Sequence, residues 1–385
     1  MQRNDSYDSD FFIRKREDDM KVLYIHIPFC IKKCDYCDFV SFPECDNHFE
    51  EYVSTLIKEM GKYCGTHIDT VFIGGGTPSV LPPYLISRIC DAVKENFVLC
   101  DNYEWTIEVN PGTVTDEKIK AILEGGINRV SVGVQSFNDR ELVAAGRIHN
   151  SKTAYDTVIK LSEYGFKNIS IDLMESLPNQ TAESFKKSLK TAVSLPITHI
   201  SVYSLIIEEG TPIKEKYDKG IYEMPDEDTD RDLYKFTKEF LSERGFCRYE
   251  ISNYAKASYK SKHNLKYWNC YEYIGVGVAA HSYLDGVRYY NTSVLEDYIN
   301  GVTIIGEDVL GESDKQSEFM MLGLRKTEGI NKKEFNKRFK CMPEDIWGRT
   351  ISRFIETGFM IESDGYYSLT EKGTDVSNSI MCEFL

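Results

Sequence analysis

Cys30, Cys34 and Cys37 stand in the order C-x3-C-x2-C, directly behind the segment Tyr24-Ile25-His26-Ile27-Pro28-Phe29. Thiolates are the usual ligands of iron–sulfur clusters, and three of them on one loop can hold three irons of a four-iron cubane. The fourth iron then keeps an open position for a substrate or cofactor. A zinc loop and three unrelated buried thiols are the competing readings. A structural zinc site wants a fourth Cys or His at similar spacing, and none lies close by. Other cysteines, such as Cys64, Cys90, Cys100 and Cys247, read as ordinary buried thiols.

Further candidates lie along the chain. Gly74-Gly75-Gly76-Thr77-Pro78 lets a backbone approach a ligand closely and expose its N–H and C=O groups. It lacks the G-x-G-x-x-G pattern of a dinucleotide site. Glu108 and Asp172 can bond ribose hydroxyls or an amino group, Gln135 offers both a donor and an acceptor, and Arg147 can clamp a carboxylate. Singly, each reads as a surface polar residue or a local cap. His263-Asn264-Leu265-Lys266-Tyr267-Trp268 combines an imidazole, a common axial ligand of heme iron, with flat apolar rings suited to a porphyrin. Taken alone, His263 reads more simply as a turn cap with Tyr267 and Trp268 in the core. His281 follows a glycine-rich apolar strand and is a candidate lining residue. His26 reads as an orienting residue for the cysteine loop.

The elements that position these residues alternate. Strands are expected over 22–27, 70–73, 105–109, 129–134, 168–172 and 199–203. Helices with 3.6-residue apolar spacing are expected over 49–63, 82–96, 116–124, 151–164 and 181–194. Alternation with right-handed crossovers makes a parallel sheet, so the fold class expected is α/β, a partial (β/α)6 TIM-type barrel. The cysteine loop, the glycine segment, Glu108, Gln135 and Asp172 each follow a strand. That is the carboxyl face on which barrel enzymes build their sites.

With these motifs assembled, the chain resembles the radical S-adenosylmethionine (SAM) superfamily. The resemblance implies a [4Fe-4S] cluster on Cys30, Cys34 and Cys37, whose open iron chelates SAM and delivers the electron that cleaves it. Position by position, the chain is similar to the oxygen-independent coproporphyrinogen III oxidase family. That similarity implies Tyr24, Gly75 and Glu108 as contacts of the SAM on the cluster. It also implies Tyr36, Gly76, Thr77, Gln135, Arg147 and Asp172 as the adjacent pocket, which takes a second SAM in the oxidase. Two branches of the family differ here. The oxidase has a fourth cysteine where this chain has Phe39, and a longer N-terminal arm. The ending Cys37-Asp38-Phe39 and the HNxxYW segment at 263–268 look like the HemW branch of heme chaperones. This implies heme near His263 and a heme-acceptor protein as partner, for example a membrane-associated respiratory enzyme. The alternative is the oxidase itself, whose activity is not expected; a third reading is a radical SAM enzyme on another substrate. After Asp172 the family runs Leu-x-Tyr-Gly-Leu-Pro-Gly-Gln-Thr, whereas here Glu175, Ser176 and Asn179 depart from it.

Composition sets outer bounds. The 385 residues are long enough for two or three domains. A net charge of −15 argues against nucleic acid as a partner. No run approaches the ~20 apolar residues of a membrane span. Eleven cysteines without disulfide-like spacing point to a reducing cytoplasm. Residues 1–19 read as a disordered extension, 20–215 as the barrel, and 216–305 as a connecting region carrying the HNxxYW segment. Residues 306–385 read as a winged-helix-like α+β domain, net acidic and so a packing or docking module rather than a DNA reader.

Overall fold

The computed structural model describes residues 20–385, and the extension over 1–19 lies outside the described residues. Strand β1, Lys21–Ile27, pairs in parallel with β2, Thr66–Gly75. The parallel ladder continues through β3, Phe97–Val109, β4, Arg129–Gln135, β5, Asn168–Glu175, and β6, His199–Ser204. Helices α1, Phe49–Met60, α2, Pro83–Asn96, and α3, Asp116–Glu124, fill the first crossovers. The short α4, Asp139–Ala144, precedes α5, Ser151–Glu163, and α6, Ala182–Ser194, follows β5. Helix α4 was not expected. Six residues carry too little apolar periodicity to announce a helix, and a side-chain cap from Asn138 marks where it begins.

The six expected strands are therefore present, and a seventh parallel strand joins them. After α7, Pro212–Asp218, and α8, Glu227–Ser242, the chain adds β7, Cys247–Arg248, and β8, Asn253–Ala255, to the β6 edge. Helix α9, Lys262–Trp268, then leads to β9, Tyr273–Val276, which lies parallel to β1 on its far side. Strands β10, His281–Leu284, β11, Val287–Asn291, and β12, Ile304–Val309, continue antiparallel, giving one twelve-stranded sheet.

Within the parallel strands, residues alternate between two environments. Leu23, Ile25, Val71, Ile73, Trp105, Ile107, Val130 and Ile171 pack in one core with Leu56, Leu85, Ile122, Val158 and Leu189 of the helices. Each such fully buried apolar side chain contributes roughly 1.5–3 kcal/mol. The alternate positions Thr70, Glu104, Thr106, Arg129, Ser131, Ser170 and His199 are buried and polar. They satisfy one another across strands: Ser170 Oγ lies 2.7 Å from His199 Nδ1, and Ser131 Oγ donates to Asp172 Oδ2 at 3.3 Å. A barrel interior filled by bulky branched side chains is the common arrangement. This lumen is lined instead by buried polar side chains.

A second hydrophobic core, with Phe319, Phe335, Ile351, Met360, Tyr367 and Phe384, lies in the C-terminal region. Helices Glu312–Gly323, Lys332–Phe339 and Pro343–Glu356 precede the hairpin Met360–Ser363 and Tyr366–Leu369. Ile330–Asn331 completes that small sheet. The hairpin turns on Asp364 and Gly365 at φ 51° and 81°, the two left-handed residues a tight hairpin turn requires.

Candidate functional site

The cysteine loop is tied down on three sides. Phe29–Cys30 pairs with Phe42–Pro43, and the Phe42 N–H donates to the Pro28 carbonyl at 2.6 Å, which closes the loop at its base. Midway, the Asp35 N–H donates to Ala145 O at 3.1 Å, and the Asp35 carbonyl accepts from Ile213 N–H at 2.9 Å. Lys216 Nζ bonds the Asp35 carboxylate at 2.5 Å. Cys30, Cys34 and Cys37 remain half-exposed. Thr77 Oγ1 lies 3.5 Å from Cys30 Sγ, and Arg147 Nη1 donates to Cys34 Sγ at 3.2 Å. Burial raises the thiols of Cys30 and Cys37 above their ordinary range, so a metal must displace their protons. Among the described residues, no three His, Cys, Asp or Glu side chains converge on a single ion. In a cluster each thiolate serves a different iron. The three thiols fit the cluster as its ligand set.

The glycine segment packs against this loop. Gly76 N–H donates to Ile27 O at 2.8 Å and Thr77 N–H to Phe29 O at 2.7 Å. Gly75 has φ 107°, and a Cβ there would lie 2.5 Å from the His26 ring; one on Gly76 would lie 2.8 Å from Phe29 O. Only glycine passes at these positions. The Gly75 N–H donates to Glu108 Oε2 at 3.2 Å. Burial, and then the facing Asp172, pushes the Glu108 carboxyl up to about 8. Burial raises Asp172 as well. Arg147 Nη2 donates to Gly133 O at 2.6 Å while Nη1 reaches Tyr36 Oη at 3.5 Å. Gln135 stands beside it at φ 64°. A non-glycine residue held there is strained, and such strain collects at functional sites. Tyr24 Oη lies 3.0 Å from His26 Nδ1, whose Nε2 lies 3.0 Å from Val40 O at the end of the cysteine loop. Gly75, Glu108 and Gln135 thus sit at or next to strand ends and Tyr36, Gly76, Thr77 and Arg147 on loops, whereas Tyr24 and Asp172, expected at the same rim, lie inside β1 and β5.

His263 lies in α9, on the lumen side of the sheet. A cavity of about 280 Å³ is lined by Tyr24, Phe72, His263, Asn264, Tyr267, Tyr273 and His281. Tyr24 is therefore a wall shared by the HNxxYW segment and the residues around the cysteines, and His281 faces the same space. The Phe72 ring lies 5.0 Å from His263 and the Tyr267 ring meets it edge-on at 5.1 Å. His263 Nδ1 lies 2.9 Å from Thr70 Oγ1, and the Glu104 carboxylate accepts from the His263 backbone N–H at 3.1 Å. Burial, with Arg129 nearby, lowers the imidazole to about 3, so it is neutral at physiological pH. Nε2 is buried and has no partner. A neutral imidazole held at Nδ1 and free at Nε2 is the donor a heme iron takes, so the residues fit. Phe72, Thr70 and Glu104 were not anticipated. Their only signal is the inward alternation of the strands, and their partners lie more than 150 positions along the chain.

Two of the departures after Asp172 find partners on a single helix. Glu175 accepts from Thr237 Oγ1 at 2.9 Å, and Ser176 Oγ donates to Asp230 Oδ1 at 3.0 Å, both on α8. Ser176 and Asn179, where the resemblance expects glycine, have φ 62° and 65°. The glycine-like backbone is kept although the glycines are gone.

Residues 24–192 match the Radical SAM superfamily and residues 312–376 the HemN C-terminal domain. The chain is 36% identical over 365 residues to the protein named heme chaperone HemW of Lactococcus lactis, covering 94% of this chain and 96% of that one. It is 36% identical over 379 residues to its Bacillus subtilis namesake (95% and 99%) and 33% over 374 residues to that of Escherichia coli (94% and 97%). The solved structure of Escherichia coli coproporphyrinogen III oxidase, a radical SAM enzyme, superposes with a TM-score of 0.83 at 21% identity, over 97% of this chain and 93% of that one. The chain belongs to the HemW family of the radical SAM superfamily.

Proposed function

We propose that this protein is a heme chaperone that carries a [4Fe-4S] cluster on Cys30, Cys34 and Cys37, binds SAM beside it, and holds heme on His263 for delivery to an acceptor protein. The observation that carries this reading is the buried, unpartnered Nε2 of a neutral His263 on an aromatic cavity that shares Tyr24 with the cluster side. When bound, the cluster and SAM supply one-electron chemistry. The chain's own residues supply the rest. Gly75 and Gly76 let the end of β2 pack directly against His26 and the base of the cysteine loop, and Glu108 offers a carboxylate to a ligand amine once it loses its proton. Arg147, Gln135 and Asp172 line the adjacent space, where they can orient a second ligand. The names of the relatives support heme as cargo, and Phe39 in the place of the fourth cysteine separates the chain from the oxidase pattern. All eleven cysteines are unpaired, which supports a reducing cytoplasm as the working compartment. No helix among the described residues is long and apolar enough to cross a membrane. The acceptor is identified only as a protein that takes heme.

The test is anaerobic and has two arms. Reconstituted protein is incubated with coproporphyrinogen III, SAM and a reductant, and no protoporphyrinogen is expected; its formation would establish the oxidase reading instead. Hemin is then titrated into wild type and His263→Ala. A changed Soret band in the variant is expected, and identical spectra would remove His263 from the site.

A further inference from the structure

Helix α9 is held at its two ends by different parts of the molecule. At its start the Glu104 carboxylate accepts from the N–H groups of Lys262 and His263, each at 3.1 Å. In its last turn Lys266 pairs with Asp69 of β2 at 2.6 Å. The remaining contacts at its end come from the C-terminal region. The Arg325 guanidinium lies 4.4 Å from the Trp268 ring centre, and its Nη2 is 3.9 Å from the Glu250 carboxylate, which is 0% exposed. Lys326 Nζ donates to Asn269 Oδ1 at 2.6 Å, and Arg338 Nη1 to the Asn269 carbonyl at 2.8 Å. Three cations thus gather where the helix presents its free carbonyls, the favourable end for positive charge. A seven-residue helix has little stability of its own, so these contacts decide where it sits.

The placement they enforce shuts His263 away. The residue is 1% exposed and its Nε2 touches neither solvent nor a polar partner. A metal-bearing ligand reaches that nitrogen only if α9, or the Phe72 and Tyr267 rings packed around it, gives way. We infer that Arg325 is a positioning residue for His263: its grip on Trp268 holds α9 in the placement that withholds Nε2, and so sets how readily the imidazole is offered to heme. The C-terminal region thereby takes part in the heme site without touching it. This rests on His263 as the heme ligand.

When the competent state is a minor one, apparent affinity falls by its population. Weakening the grip should then tighten binding, whereas simple structural damage loosens it. A partly exposed cation–aromatic contact of this kind sets an expected gain of roughly threefold to tenfold. The experiment titrates hemin into full-length, cluster-reconstituted protein, following the Soret band at equilibrium and by stopped flow. Arg325→Met should bind hemin more tightly and faster than wild type, with iron, sulfide and SAM binding unchanged. Arg325→Lys should return toward wild type. Trp268→Leu removes the same contact from the other side and should reproduce the gain even where Arg325→Met yields little folded protein. The gain should vanish in the His263→Ala background. If Arg325→Met and Trp268→Leu bind no tighter than wild type while His263→Ala alters the spectrum, the inference is wrong. If His263→Ala itself changes nothing, the underlying reading of His263 fails instead.

Discussion

Arg147 and Cys34 are joined by a 3.2 Å contact from Nη1 to the sulfur, while Nη2 of the same guanidinium grips the Gly133 carbonyl at 2.6 Å. Cys34, in the middle of the cysteine loop, is thereby fastened through Arg147, 113 positions away in sequence, to Gly133 near the end of β4. A planar fork performs this double duty and an ammonium cannot.

Arg147→Met should therefore weaken retention of the cluster, and Arg147→Lys should fail to restore it. A charge-assisted hydrogen bond of this type contributes ~1.5–3 kcal/mol, so cluster half-life under chelator challenge should fall by about tenfold or more. Equal half-lives in the three proteins would mean that Arg147 does not support the loop.

Single replacement of Cys30, Cys34 or Cys37 by alanine should each abolish the brown absorbance after anaerobic reconstitution. Cys90→Ala should leave it intact. Cys90 is on the buried face of α2, in the hydrophobic core, where burial pushes its thiol up to about 12. Iron and sulfide analysis of the four variants checks this, and a cluster surviving loss of any loop cysteine would break the assignment.

Gln135 is held at φ 64° at the exit of β4. Left-handed backbone costs a side-chain-bearing residue ~1–2 kcal/mol, and glycine's extra chain entropy returns part of that. Gln135→Gly should thus unfold later in urea, by about 0.5–1 kcal/mol, while binding SAM more weakly. Unchanged SAM affinity would show that the strain serves no ligand.

Glu175 is 1% exposed, and burial, helped by Asp230, lifts its carboxyl from 4.5 to about 7. Folding favours its protonated form. The stability it contributes is full below pH 4.5 and is lost as pH rises through about 7. Wild type should lose urea resistance between pH 4.5 and about 7 relative to Glu175→Gln, whose amide keeps the shape without the ionisation. Parallel pH profiles for the two proteins would contradict this.

The cysteine loop was legible from sequence because it is a local motif placed directly after a strand; the glycine segment, Glu108 and Asp172 were expected just past their strands, but Gly74 and Gly75 close β2, Glu108 is the last residue but one of β3, and Asp172 lies three residues inside β5. The expected strands and helices over 22–203 recur, most of them with small shifts at their ends. β2 and β3 reach further back, to Thr66 and Phe97, because those residues pair with each other rather than belonging to a loop. The polar run around Asp69, Asp101 and Asn102 hid that extension. The seventh parallel strand was unreadable for a related reason: Tyr273–Val276 joins β1 from 250 residues away, and no local pattern announces such a neighbour.

By itself, the order of residue types determined the chemistry available: three thiols on one loop, carboxylates carried by strands, and an imidazole followed by aromatic rings. Alternation and periodicity are short-range properties, and they sufficed for the elements. Only the tertiary structure decided that Thr70 and Glu104 hold His263, that Tyr24 walls both the cavity and the cluster side, and that Arg325 grips the far end of α9. These relationships depend on strand register and on which face of the sheet a distant helix meets. Register and facing are fixed when the polar lumen and the apolar shell segregate on folding, an outcome of the whole chain that no segment encodes alone.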